Sequence, residues 1–173
     1  MTVEHPKVLL IGYGNPGRLD DGLGPALAEA IEALNLPGVT VQADYQLTVE
    51  DAAAVAEHDV AIFADADVAG EGPFYFRRLT PLAGCSFTSH SVEPAALLAL
   101  AVQLFDARAS AYVLGIRGYE FNEFDERLSE GATRNLAAAL EYLRTALLAG
   151  RFSEVGNPPV EQWTEDTAPS MGN

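Results

Sequence analysis

The sequence predicts an α/β protein: a three-layer α/β/α sandwich built on a mostly parallel, twisted sheet. Short apolar runs closed by Gly or acidic residues alternate with segments whose Leu, Ile and Ala recur at helical spacing. Such alternation implies parallel strands with helices on both faces. The chain has 173 residues, 49% of them hydrophobic, which suits one domain with a sizeable core.

The elements follow in order. "KVLLIG" (7–12) is an apolar run ended by Gly, a buried-strand pattern. Leu23, Leu27, Ile31 and Leu34 then fall at helical spacing, with Asp20 as the expected N-cap and Pro37 and Gly38 as the stop. "VTVQAD" (39–44) alternates and reads as a second strand. Thr48 and Asp51 have capping-box spacing ahead of a short helix bearing Val49, Ala52, Ala53 and Ala56. "DVAIFAD" (59–65) is the strongest buried strand, and the alternating "FYFRRL" (74–79) suits an edge. "EPAALLALAVQLF" (93–105) is a helix with Pro94 in its first turn, where Pro is tolerated. "AYVLGIR" (111–117) is a further strand. Ser129 caps a last helix with Leu136, Leu140, Leu143 and Leu147 on one face. The domain is expected to span 1–149. Residues 150–173, rich in Pro, Glu and Ser, are expected to form a mobile tail with Trp163 as a local anchor.

Charge narrows the function classes. Acids outnumber bases 25 to 10, for a net charge of −15. Nucleic acids and anionic membranes both demand Lys/Arg patches, so neither is an expected partner. The one cysteine, Cys85, rules out an internal disulfide and suits a reducing compartment. The start "MTVEHPK" lacks an apolar signal-peptide core, and no run approaches the ~20 residues of a membrane span. A cytoplasmic location is expected.

In an open parallel sheet, ligands collect beyond the carboxyl ends of the strands. Three such ends carry chemistry: Asn15, Asp20 and Asp21 after the first strand, Asp65 and Asp67 at the third, and His90 in "CSFTSHS" before a helix start. Two carboxylates and an imidazole from separate loops form a mixed ligand set suited to a first-row divalent ion. Each also has a plainer reading. Asp20 and Asp21 fit a helix first turn, Asp65 a solvated strand end, His90 a structural histidine and Cys85 a small buried residue. Tyr45 and Gln46 are substrate contacts or ordinary loop residues.

Gly12, Gly14 and Gly17 spell the G-x-G-x-x-G of a dinucleotide-binding turn, and Asp44 lies where a ribose-binding acid would. Against that, Pro16 stiffens the loop, and two carboxylates stand where a pyrophosphate would have to approach. The glycines are better suited to a sharp turn that places Asp21 over the sheet edge.

Together "LLIGYGNPGRLDDGLGPALAEAI", "YQLTVEDA", "IFADA", the "SH" of "TSHSVEPAALLAL" and "VLGIRGYEF" resemble the nickel–iron hydrogenase maturation proteases, over about residues 7–148. These endopeptidases trim the C-terminus of the hydrogenase large subunit, and the resemblance implies an α/β/α fold of the phosphorylase/hydrolase-like kind. The resemblance implies Asp21, Asp65 and His90 as the catalytic, metal-contacting residues. Asp21 stands where the family often has the longer Glu. The metal is implied to be nickel carried by the substrate, so no tightly bound metal is expected in the free enzyme. The expected partner is the large-subunit precursor, met by a protein that is a monomer when free. Asn15, Asp44, Tyr45 and Gln46 are the expected substrate contacts. Many members serving uptake hydrogenases carry a "DGGT"-like run where "DYQLTVEDA" (44–52) stands here. The replacement looks more like members serving soluble, bidirectional, NAD-linked enzymes. Two other functions stay open: a dinucleotide-binding oxidoreductase and a non-enzymatic nickel-binding assembly factor.

Overall fold

The computed structural model describes residues 4–81 and 92–159. Five strands form one sheet: β1 (Val8–Tyr13), β2 (Val39–Asp44), β3 (Val60–Asp67), β4 (Phe74–Leu79) and β5 (Ser110–Arg117). Their order is β2-β1-β3-β5-β4, with every neighbouring pair parallel except β4–β5. Four α-helices complete the described fold: α1 (Leu23–Ala33), α2 (Asp51–Ala56), α3 (Pro94–Phe105) and α4 (Glu130–Ala149).

The inner strands β1 and β3 are apolar on both faces because both faces are covered. In β1, Val8 and Leu10 join Leu27 and Ile31 of α1 and Leu143 and Leu147 of α4 in one core. Leu9 and Ile11 point the other way, into a second core with Ala52 and Val55 of α2 and Leu97 and Ala101 of α3. The period-two alternation of strand side chains thus divides one apolar run between two layers. The result is the α/β/α sandwich that the sequence predicts.

Three elements depart from expectation. Asp20 does not cap α1. A 3₁₀ turn over Leu19–Gly22 precedes the helix, whose N-cap, Gly22, makes no side-chain capping bond. Strand β3 runs two residues past the expected end, because β5 continues to pair with it through Asp65↔Gly115, Ala66↔Ile116 and Asp67↔Arg117. The start of the expected tail is also docked. Phe152 packs on Phe76 and Tyr112, with centroids 6.4 and 5.7 Å apart. Val155 exchanges two backbone hydrogen bonds with Phe76, at 2.8 and 3.0 Å. Glu154 meets Arg77 at 3.3 Å. The exposed edge of β4 is a surface that more chain can cover, and the apolar Phe152 and Val155 supply the cover. Trp163 lies outside the described residues.

Capping was more legible. Ser129 Oγ accepts from the Ala132 N–H at 3.2 Å, and Pro94 opens α3. Only part of the expected capping box forms at α2. The Asp51 carboxylate accepts from the Thr48 N–H at 2.9 Å, but the helix begins at Asp51 itself. No helix among the described residues is long and apolar enough to cross a membrane.

Candidate functional site

The chain leaves β1 for β2 on one side and then crosses to β3 on the other. The carboxyl ends of β1 and β3 therefore flank the point where strand order reverses, the position at which open α/β sheets place ligands. The loop after β1 must turn sharply there, and two of its glycines show why. Gly14 has φ +139, and a Cβ on it would lie 2.1 Å from the Asp21 carbonyl oxygen. A Cβ on Gly12 would lie 2.1 Å from the Gly24 carbonyl oxygen, so α1 packs directly on β1. At both glycines the close approach is to the chain's own backbone.

Asp20 and Asp21 are neighbours with opposite roles. Asp20 is fully buried. Its carboxylate accepts from the Tyr119, Glu120 and Ser129 N–H groups at 2.8, 3.0 and 2.7 Å, and from the Ser129 hydroxyl at 2.6 Å. Burial alone would raise its pKa, but these hydrogen bonds outweigh it and hold the carboxyl below the usual range. Two backbone bonds reinforce the tie: Asp20 N–H to Glu120 O at 2.9 Å and Leu19 N–H to Asp125 O at 3.0 Å. The 14–22 and 118–129 loops are thereby locked together. Leu19 is held at φ 52, a left-handed conformation uncommon for a residue with a side chain.

Asp21 is held by the opposite means. It is half-buried, and its Oδ2 accepts from the Asn15 N–H at 2.8 Å. Asp65 Oδ1 accepts from the Ala66 N–H at 2.8 Å. The two carboxylates are close enough that the charge of Asp21 raises the pKa of Asp65. Burial is the largest cause of that rise, and Glu93 adds to it. The Ala66 N–H and Tyr13 hydroxyl bonds oppose it, and the Asp65 carboxyl ends up at about 7.

The direction of this shift has a consequence for stability. An unfolded Asp titrates near ~3.9. With the folded value above that, stability is full below pH ~4 and is lost as pH rises through ~7. Asp65→Asn removes the titration. Its stability advantage over the wild type is expected to grow by about 2–3 kcal/mol between pH 5 and pH 8 in chemical denaturation. An equal gap at both pH values would mean that Asp65 ionises normally.

Sequence reading missed three neighbours of this pair. Tyr13 bonds Asp65 through its hydroxyl, and burial, then Asp65, then Glu93, push its pKa well up. Glu93 is the exposed N-cap residue of α3 and makes no side-chain capping bond. Buried Tyr75 has its pKa raised by burial and by Asp67 and Asp65. The available signal is register: Gly12 pairs with Ala64, so Tyr13 and Asp65 are one step further along adjacent strands. It is readable only once β1 and β3 are known to be neighbours.

The other expected residues divide. Asp67 is buried and turns inward, accepting from the Ala69 N–H at 3.1 Å. Asn15 Oδ1 is used within its own loop, accepting from the Gly17 N–H at 2.9 Å. Asp44 and Tyr45 line a cleft of about 630 Å³ that reaches Gly14 and Gly22, with Tyr45 71% exposed. Gln46 is exposed but does not line that cleft. His90 and Cys85 lie outside the described residues. Among the described residues, no three His, Cys, Asp or Glu side chains form a metal-ligand group. Asp21 and Asp65 stand as a pair.

The chain is an α/β protein, a three-layer sandwich with Asp21 and Asp65 near its topological switch point. Solved structures of the same fold are more specific. The chain is similar to the [NiFe] hydrogenase maturation protease HycI from Thermococcus kodakarensis, at 19% identity and TM-score 0.65, over 83% of this chain and 94% of that one. It is similar to the hydrogenase maturating endopeptidase HybD from E. coli, at 19% identity and TM-score 0.63, over 87% and 98%. An uncharacterized protein from Wolinella succinogenes matches at 26% identity and TM-score 0.56, over 84% and 97%. No protein-family model and no curated protein matches the chain.

Proposed function

We propose that this protein is an endopeptidase that removes the C-terminal peptide of a nickel-loaded [NiFe]-hydrogenase large-subunit precursor. The observation that carries this reading is the Asp21–Asp65 pair, charge-coupled at the switch point of a fold shared with hydrogenase maturation proteases. Two adjacent carboxylates repel each other, and a cation relieves that repulsion, so the pair favours a metal-bearing substrate. Asp21, Asp65 and His90 contact the nickel that the precursor carries. Nickel so held can polarise a water or the scissile carbonyl. In the hydrolysis, the water oxygen bonds to the carbonyl carbon, the C–N bond breaks, and a proton passes to the leaving amine. Side chains from separate segments make an open site that should bind free divalent ions weakly, since closed sites use a fourth ligand and an ordered surround. The segment 44–52, which stands in place of a "DGGT"-like run, favours a soluble, bidirectional, NAD-linked hydrogenase as the enzyme served.

The deciding experiment is a cleavage assay on the precursor with and without nickel. The expected result is a mass loss at the C-terminus of the nickel-loaded precursor only. A precursor left at its original mass would make the protein an assembly factor. Cleavage of nickel-free precursor by a protein holding stoichiometric, chelator-resistant zinc would make it an ordinary metalloprotease.

A further inference from the structure

The cleft that Asp44 and Tyr45 line has a composition that the cleavage chemistry does not require. It lies between α1, the carboxyl end of β2 and the 118–129 loop, and it begins at Gly14 and Gly22, which flank Asp21. Its floor is apolar, formed by Leu19, Pro25, Ala26 and Leu128. Three carboxylates stand around it: Glu29 from α1, Asp44 from β2 and Glu126 from the loop, all on exposed residues. The lone base in the lining, Arg127, is spent elsewhere. Its guanidinium reaches Asp125 at 3.1 Å, Glu120 at 3.6 Å and Glu123 at 3.9 Å. The cleft therefore offers apolar surface under an uncompensated negative rim.

We propose that this cleft is a specificity-determining subsite that holds a segment of the substrate chain flanking the bond to be cut, and that this segment is extended, apolar and positively charged. The inference rests on the endopeptidase reading above and deepens it. A peptide whose scissile bond lies at Asp21 and Asp65 must leave the acid pair in some direction, and the nearest part of the cleft is Gly22, next to Asp21 in the chain, and Gly14, packed against the Asp21 backbone. Its apolar floor gains from covering side chains. Its rim selects for Lys or Arg and disfavours an acidic chain, since complementary charge sets partner choice and encounter rate more than raw affinity. The rim comes from three separate elements. Asp20 fixes one of them, the 118–129 loop, against the loop that carries Asp21.

The test measures kinetics on the nickel-loaded precursor that the wild type cleaves. Glu29→Lys and Glu126→Lys reverse the rim on exposed side chains, and Ala26→Trp fills the floor from the outer face of α1. Each is expected to raise KM about tenfold, with kcat changed less than about twofold and with added salt narrowing the charge-variant effect. Glu57→Lys makes the same charge change beyond the opposite end of the sheet, after α2, and is expected to leave KM at the wild-type value. The two charge variants carry the test if Ala26→Trp lowers Tm. Wild-type KM in Glu29→Lys and Glu126→Lys, or an equal rise in Glu57→Lys, would overturn the subsite while leaving the endopeptidase reading in place. No cleavage of any precursor by the wild type would overturn both.

Discussion

Asp21→Asn and Asp65→Asn are each expected to slow cleavage of the nickel-loaded precursor by about 10³-fold, the scale on which removal of a preorganised charged group costs catalysis. Neither change should unfold the protein. Asn keeps an oxygen at each position to accept the bonds from the Asn15 and Ala66 N–H groups, and neither side chain fills the core. Circular dichroism and Tm should therefore match the wild type for Asp21→Asn, while for Asp65→Asn Tm should exceed it by a margin that grows as pH rises from ~4 to ~7. The two acids act on one cation, so their effects should not add. The double variant should fall little further than either single one. Near-wild-type rates in either single variant would remove that residue from the chemistry, and fully multiplicative losses would mean that the acids act at separate places.

Asp20→Ala should produce the opposite pattern, in which the fold suffers first. The substitution leaves the Tyr119, Glu120 and Ser129 N–H groups without their acceptor and the Ser129 hydroxyl without its partner, all around a buried site. Stranding buried donors of a charge-assisted network costs about 3–5 kcal/mol. For a domain of this size each kcal/mol lowers Tm by about 2–4 °C, so a fall of roughly 10 °C is expected. Cleavage should drop as well, because the loop bearing Asp21 loses its tie to the 118–129 loop. Asp20→Asn separates the two effects. It keeps one acceptor but brings an amide N–H₂ against N–H donors, so its Tm should lie between those of Asp20→Ala and the wild type. A Tm within 2 °C of wild type for Asp20→Ala, on that ~2–4 °C scale, would show that the network contributes no net stability.

This contrast between adjacent aspartates marks the limit of what sequence reading reached. Both residues suit a helix first turn, and nothing local separates them. The distinction comes from residues about a hundred positions away, the Tyr119 to Ser129 segment, which reaches Asp20 and leaves Asp21 facing the edge. Tyr13 and Glu93 escaped notice for the same reason. Each becomes part of the site only through its closeness to Asp65 across strands or loops.

The sequence by itself determined the alternation of strands and helices, the Ser129 cap of α4 and the Pro94 start of α3, the edge character of β4 and the placement of Asp21 and Asp65 toward the carboxyl edge of the sheet. These are local properties, set by the side-chain periods of strand and helix and by a few capping groups. Only the tertiary structure decided the order β2-β1-β3-β5-β4, the extension of β3 past Asp65, the docking of Phe152 and Val155 on the sheet edge and the division of labour between Asp20 and Asp21. Each depends on contacts between segments distant along the chain. The energy of a buried carboxylate is set by which N–H groups surround it, and that surrounding exists only when the loops are packed together.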